Sequence, residues 1–137
     1  LVTVFSGSQT FTEFYVVEVS LRELKRMYPE LVVRVGDAQG LDAIVRTVCP
    51  RYGIVPDVHR AQWGRYGQGA GHRRTAEMLI GPPKADLMLA FYGPDGATPG
   101  TQGGIKTAIR KGVPVWLHRQ GETNPAWRPV LTKEDHQ

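Results

Sequence analysis

Leu31-Val32-Val33-Arg34-Val35-Gly36-Asp37-Ala38-Gln39-Gly40-Leu41-Asp42 is the stretch whose reading decides the fold. It opens as a short apolar run interrupted only by Arg34, which is the pattern of a buried strand. The chain then passes through Gly36 and Gly40 and enters a segment with Leu41, Ile44, Val45 and Val48 on one side, a helix face. Strand, glycine turn and helix make the unit of an open α/β sheet, whose ligands bind outside the carboxyl ends of the strands. Glycine lets backbone approach a ligand closely, and helix N-termini aim N–H groups at anions. Asp42 falls in the first helical turn, where it either favours the helix dipole or accepts from a ribose hydroxyl. The spacing differs from the G-x-G-x-x-G dinucleotide fingerprint.

The same unit recurs outward in both directions. Leu1–Phe5 is a β-rich run ending in Ser6-Gly7-Ser8, and Asp86–Tyr92 is the clearest buried strand. Between the first two strands, Phe14, Val17, Leu21, Leu24 and Tyr28 mark a helix face behind a capping box, Thr10-Phe11-Thr12-Glu13, and Pro29 stops it. Pro50 ends or kinks the second helix, and Ile54–His59 is a weaker strand. Residues 60–71 read as an ordered loop and His72–Ile80 as a helix. A loop over Gly93–Gly100, a helix over Gly103–Lys111 and a strand over Val113–His118, with Trp116 in the core, complete the pattern. The alternation predicts a three-layer Rossmann-like α/β domain over residues 1–118, with about five parallel strands and right-handed crossovers. Leu1–Phe5 and Asp86–Tyr92 are expected side by side at its centre. Residues 119–137 read as a polar tail in which Trp127 docks.

Composition narrows the class. At 137 residues the chain suits one domain with a real core, and 41% hydrophobic with 22% charged residues is ordinary for a globular protein. A net charge of +4 suits an anionic ligand but does not demand nucleic acid. The single cysteine, Cys49, cannot form an intrachain disulfide and reads as a small buried hydrophobe. The lone cysteine makes a cytoplasmic location the expectation, and with no run approaching a membrane span and no basic-then-apolar leader pattern no membrane partner is expected. The first residue is Leu1, so an initiator segment is expected upstream. His59, His72, His118 and His136 lack ligand spacing, and neither a metal nor a resident cofactor is expected.

The candidate ligand residues sit in the glycine turns. Gly100-Thr101-Gln102-Gly103-Gly104 reads as a phosphate loop in which Thr101 caps the helix, although Ile105 breaks any P-loop pattern. Ser6, Gly7 and Ser8 end the first strand, and their hydroxyls can reach a phosphate. Arg73 and Arg74 open a helix, where like charge opposes the dipole unless an anion offsets it. Around them Arg60, Arg65, Trp63 and Tyr66 form a carboxylate-free stretch that suits phosphate and base recognition, or a solvated basic loop.

Together the segments resemble the SLOG superfamily, most of all its branch of small stand-alone YspA-like domains. That pattern has Gly-Ser-Arg, Gly-x-x-x-Gly-Ala-Asp, Gly-x-x-Arg-Asn-x-x-Met and Gly-Thr in order. This chain reads Gly7-Ser8-Gln9, Gly36 to Gly40 with Asp42, Gly71-His72-Arg73-Arg74 with Met78, and Gly100-Thr101. Arg74-Thr75-Ala76-Glu77-Met78 is also similar to the Arg-Lys-Ala-Glu-Met of Lonely Guy phosphoribohydrolases. The resemblance implies binding of a nucleotide or a nucleotide-derived small molecule, ADP-ribose- or NAD-like, at Ser6, Gly7, Ser8, Gly36, Gly40, Asp42, Arg73, Arg74, Gly100, Thr101, Gly103 and Gly104. A homodimer is compatible with it.

Two rivals stand beside that reading. N-glycosidic hydrolysis needs a carboxylate, yet Gly104 occupies the catalytic glutamate position of the Lonely Guy motif, so Glu77 or Asp95 would have to substitute. Single-stranded DNA binding, as in the DNA-processing protein A branch, would use residues 60–74. No catalytic residue is assigned.

Overall fold

A computed structural model describes residues 1–122, 128–130 and 133–137. Five parallel strands carry the chain: β1 (Val2–Gly7), β2 (Val32–Gly36), β3 (Asp57–His59), β4 (Leu87–Tyr92) and β5 (Val115–Arg119). The helices are α1 (Phe14–Met27), α2 (Leu41–Val48), α3 (Trp63–Tyr66), α4 (Ala70–Ile80) and α5 (Pro99–Arg110). A two-residue β6 (Arg128–Pro129) adds an antiparallel edge, giving the order β3-β2-β1-β4-β5-β6. β1 pairs with β2 from Val2↔Val32 to Phe5↔Val35 and with β4 from Thr3↔Leu87 to Gly7↔Phe91. The expected Rossmann-like arrangement is therefore present, with β1 and β4 adjacent at the centre. Among the described residues no helix is long and apolar enough to cross a membrane.

Strand alternation sorts the core onto two faces. Phe5, Val33, Val35, Leu89 and Phe91 point to the side covered by Val16, Val17 and Leu21 of α1 and Leu41, Val45 and Val48 of α2. Val4, Met88, Ala90, Tyr92, Val115 and Leu117 point to the other side, against Met78 and Leu79 of α4 and Ile105 and Ala108 of α5. Arg34 belongs to this second face. It is only 5% exposed, and its Nη1 donates to the carbonyl of Met78 at 2.7 Å, near the carboxyl end of α4. A strand arginine thus satisfies a carbonyl that the last helical turn leaves open.

Several boundaries differ from the sequence reading, each for a local reason. The capping box does not form. α1 starts at Phe14 with no side-chain cap, because the Glu13 carboxylate accepts from His118 Nε2 at 2.9 Å and from the Gly121 N–H at 3.1 Å. After α2 the chain tightens into a 3-10 turn over Cys49–Tyr52 that holds Pro50. Cys49 is buried, which pushes its thiol up to about 12. Residues 60–69 are partly helical, with α3 followed by a 3-10 turn over Gly67–Gly69, so α4 begins two residues before the expected His72. Trp116 is 38% exposed, on the opposite side of β5 from Val115 and Leu117. The strand itself reaches Arg119, and described parts of 119–137 pack on the domain. Val130 joins the second core face, and the Tyr92 hydroxyl donates to the His136 carbonyl. Trp127 lies outside the described residues.

The largest boundary shift is in α5, which begins at Pro99 rather than Gly103. Proline suits the first helical position because its fixed φ is helical and its missing N–H has no partner to lose there. Gly103 and Gly104 are therefore interior residues, and they face α4. A Cβ on Gly104 would stand 3.1 Å from Thr75 Cγ2 and 3.2 Å from Met88 Cε. One on Gly103 would stand 2.7 Å from His72 Cε1, the far end of an exposed side chain. Urea unfolding should separate the two positions. Gly104→Glu is expected to cost about 2 kcal/mol or more from overpacking. Gly103→Ala should range from neutral to about 1 kcal/mol stabilising, as helix propensity is gained and His72 swings aside.

Candidate functional site

At the carboxyl edge of the sheet lies a cleft of about 650 Å³. Its floor is the end of β1 and the turn after it, from Ser6 to Thr10. One wall comes from Asp37, Ala38, Gln39 and Asp42 after β2. The facing wall is one side of α4, since Gly71, Arg74, Thr75 and Met78 recur at helical spacing, and Trp63 of α3 stands beside them. Asp95, Thr98, Gly100 and Thr101 close the third side at the start of α5.

Close backbone contacts set the floor. The Ser8 N–H donates to the Phe91 carbonyl at 3.0 Å, and the Leu41 N–H donates to the Ser8 carbonyl at 3.1 Å. Ser8 Oγ is tied to Thr10 Oγ1 at 2.8 Å and accepts from the Thr10 N–H at 3.1 Å; Thr10 Oγ1 donates to Asp95 at 3.2 Å. Gly40 has φ +67°, and a Cβ there would meet the Gln9 backbone at 2.4 Å. Its hydrogen atom is what allows the second turn to lie against the first.

Arg74 and the carboxylates supply the charge. Arg74 Nη1 donates to Asp37 Oδ1 at 2.8 Å, the Arg74 side chain being 13% exposed, and its Nε is buried without an acceptor among the described residues. The same group lies on Gly36, where a Cβ would stand 2.6 Å from Arg74 Cζ and 2.5 Å from Asp42 Oδ2. Asp42 is 5% exposed and accepts from the Ala38 N–H at 3.2 Å. Burial pushes its carboxyl above the usual aspartate range, against the pull of Arg74, the Ala38 N–H and Arg46. At α5 the Thr98 hydroxyl bonds Thr101 Oγ1 at 3.2 Å and does not cap the helix. Gln102 N–H already donates to Thr98 O at 2.9 Å, whereas the N–H groups of Gly100 and Thr101 have no intrahelical acceptor.

Ser6, Gly7, Ser8, Asp42, Arg74, Gly100 and Thr101 thus line one cleft. Gly36 and Gly40 lie behind its wall as close-approach positions. Arg73 turns away and stacks on Tyr66, its guanidinium carbon 4.1 Å from the ring centre. Gly103 and Gly104 are not available as phosphate donors, because they sit beyond the first turn of α5 and pack on α4. Glu77 is exposed outside the cleft, while Asp95 lines it. The sequence reading missed Asp37, which sits within the quoted turn and fixes Arg74, and Thr10, whose assignment to a capping box concealed its place in the floor.

No family model matches the chain. Over 98 residues it is 36% identical to the Gene 61 protein of Mycobacterium phage D29, across 68% of this chain and 75% of that protein. The chain belongs to the family of that phage protein. Its fold is also that of the crystal structure of UDP-N-acetylglucosamine 2-epimerase, with a TM-score of 0.50 and 19% identity over 89% of this chain. The chain spans only 35% of the length of that structure, and at this identity the likeness shows the fold alone.

For this member of the phage-protein family, Asp42 offers a direct test of the wall. A carboxyl whose folded pKa exceeds its unfolded one favours folding below the unfolded pKa, and that advantage is lost as pH rises through the folded pKa. Asp42→Asn removes the titration and keeps an acceptor for the Ala38 N–H. Urea unfolding from about pH 4 to about pH 7 should show the stability difference shifting in favour of the variant as pH rises. A difference that stays flat, or moves the other way, contradicts the raised carboxyl.

Proposed function

We propose that the protein binds a nucleotide or nucleotide-derived ligand in this cleft, as the resemblance to the SLOG superfamily implies, with ADP-ribose- and NAD-like molecules as candidates. The observation that carries the reading is a convergence. An uncapped helix N-terminus, a half-committed arginine and the serine-bearing turn after β1 meet around one volume of about 650 Å³. Small-molecule sites typically occupy about 300–1,000 Å³. In this proposal the N–H groups of Gly100 and Thr101 take a phosphate, helped by Ser6 and Ser8. Arg74 has a free face for phosphate or ribose oxygens, and Asp42 accepts from ribose hydroxyls. The lining sets three carboxylates, Asp37, Asp42 and Asp95, against the single guanidinium of Arg74. That balance favours ligands that show the protein hydroxyls and few phosphate charges. A cytoplasmic location belongs to the same proposal.

Hydrolysis of an N-glycosidic bond is the weaker reading. Gly104 faces Thr75 and Met88, and Glu77 lies outside the cleft, which leaves Asp95 as the remaining candidate of the two. Calorimetric titration with AMP, ADP-ribose and NAD should detect saturable binding by the unmodified protein. Arg74→Ala should weaken it by about 1.5–3 kcal/mol if the guanidinium makes a charge-assisted bond. Unchanged affinity in that variant rejects the role of Arg74. Little or no base should be released from a nucleotide panel. Robust turnover that disappears in Asp95→Asn would instead make the protein an enzyme.

A further inference from the structure

We propose that the indole of Trp63 is the base-stacking wall of the cleft, so that the ligand carries a nucleobase and is not a bare sugar phosphate. This rests on the nucleotide reading above and deepens it. Trp63 is 57% exposed and joins neither core face, yet it lines the cleft, where it is the sole large aromatic side chain among the described residues. Everything around it in the lining is small, polar or charged apart from Met78. A flat apolar surface held at the mouth of a polar site is what a heterocycle needs to leave water.

The neighbouring backbone holds the ring there. Trp63 Cη2 lies 3.7 Å from where a Cβ on Gly71 would stand, so the indole rests on the first turn of α4. Arg74 is three residues further along the same helical face and lines the same cleft. A ligand lying along α4 would meet the indole with its base, Arg74 and Asp42 with its sugar, and the start of α5 with its phosphate.

The rest of the segment does not make a nucleic-acid track. Tyr66 already has the guanidiniums of Arg65 and Arg73 at 5.1 and 4.1 Å from its ring centre. Single-strand binding proteins need successive open rings and a basic groove, whereas this cleft sets Trp63 and the smaller imidazole of His72 beside an excess of carboxylates.

The test titrates the full chain with AMP, GMP, CMP and UMP and, separately, with ribose 5-phosphate. The best nucleotide should bind about tenfold or more tightly than ribose 5-phosphate. Trp63→Ala should erase that difference by weakening the nucleotide alone, and Trp63→Phe, which keeps a ring, should retain most of it. Nucleotide should quench the fluorescence of the unmodified protein but not that of Trp63→Phe. Ribose 5-phosphate binding as tightly as the nucleotides, or Trp63→Ala binding them normally, overturns stacking and leaves the phosphate–ribose reading standing. If neither class of ligand binds, both readings fall. An oligothymidylate that binds far more tightly than any mononucleotide, with affinity falling steeply in salt, overturns the proposal in favour of nucleic acid.

Discussion

The turn after β1 runs through a slot one backbone wide, and the cleft depends on that confinement. On one side Gly40 presses on Gln9, on the other Gly93 presses on Thr10, where a Cβ would stand 2.6 Å from the Thr10 hydroxyl. Gly7 is equally confined, since a Cβ there would meet both Leu41 Cγ and the Phe91 carbonyl at 2.7 Å. Hydrogen bonds from Ser8 to Phe91 and from Leu41 to Ser8 then lock the turn to β4 and to α2. The glycines act first as clearances. They let three segments from distant parts of the chain share one floor, and that floor faces the cleft.

This explains which parts of the molecule were legible in the sequence. The parallel order follows from alternating apolar strands and helix faces, and the pairing of β1 with β4 follows from the way two half-sheets meet. Those signals are periodic and spread over many residues. The errors cluster where one residue decides a boundary. Gly103 and Gly104 read as the phosphate-binding opening of the last helix, yet Pro99 starts α5 four residues earlier and the glycines serve helix contact. Glu13 fits a capping box by spacing, but a histidine 105 residues away takes its carboxylate. Asp37 stood in plain view within the second turn, and only the fold shows that it reaches Arg74. Long-range partners of this kind leave no trace in local spacing.

Electrostatically the cleft contrasts with the chain as a whole. The protein carries a net charge of +4, but the lining has more carboxylates than guanidinium groups. Positive potential inside it comes from Arg74 and from peptide dipoles at the start of α5, which are weaker and more directional than a cluster of side-chain cations. An anion placed there is held by a few oriented N–H groups. Displacing it towards Asp95 or Asp42 would meet repulsion, so the geometry restricts position as well as charge.

The short β6 strand has a consequence for how copies of the chain behave beside one another. An open sheet exposes unpaired N–H and C=O groups along each edge, and such edges invite pairing with other chains. On one side the edge is β3, three residues long, with Asp57 and His59 at its ends bonded to each other at 3.0 Å. A short strand with polar ends is a poor template for intermolecular pairing. On the other side Arg128 and Pro129 lie along β5, with Pro129 opposite the half-exposed Trp116, and the Val130 N–H donates to the Val115 carbonyl at 2.9 Å. Arg119 Nη2 donates to the carbonyls of Asp135 and Gln137 at 2.9 and 3.2 Å, fastening the chain beyond β6 to the end of β5. Arg128, Pro129 and Val130 therefore guard part of this edge, taking up hydrogen-bonding groups at Val115–Leu117 through which β5 could otherwise pair with a neighbouring chain.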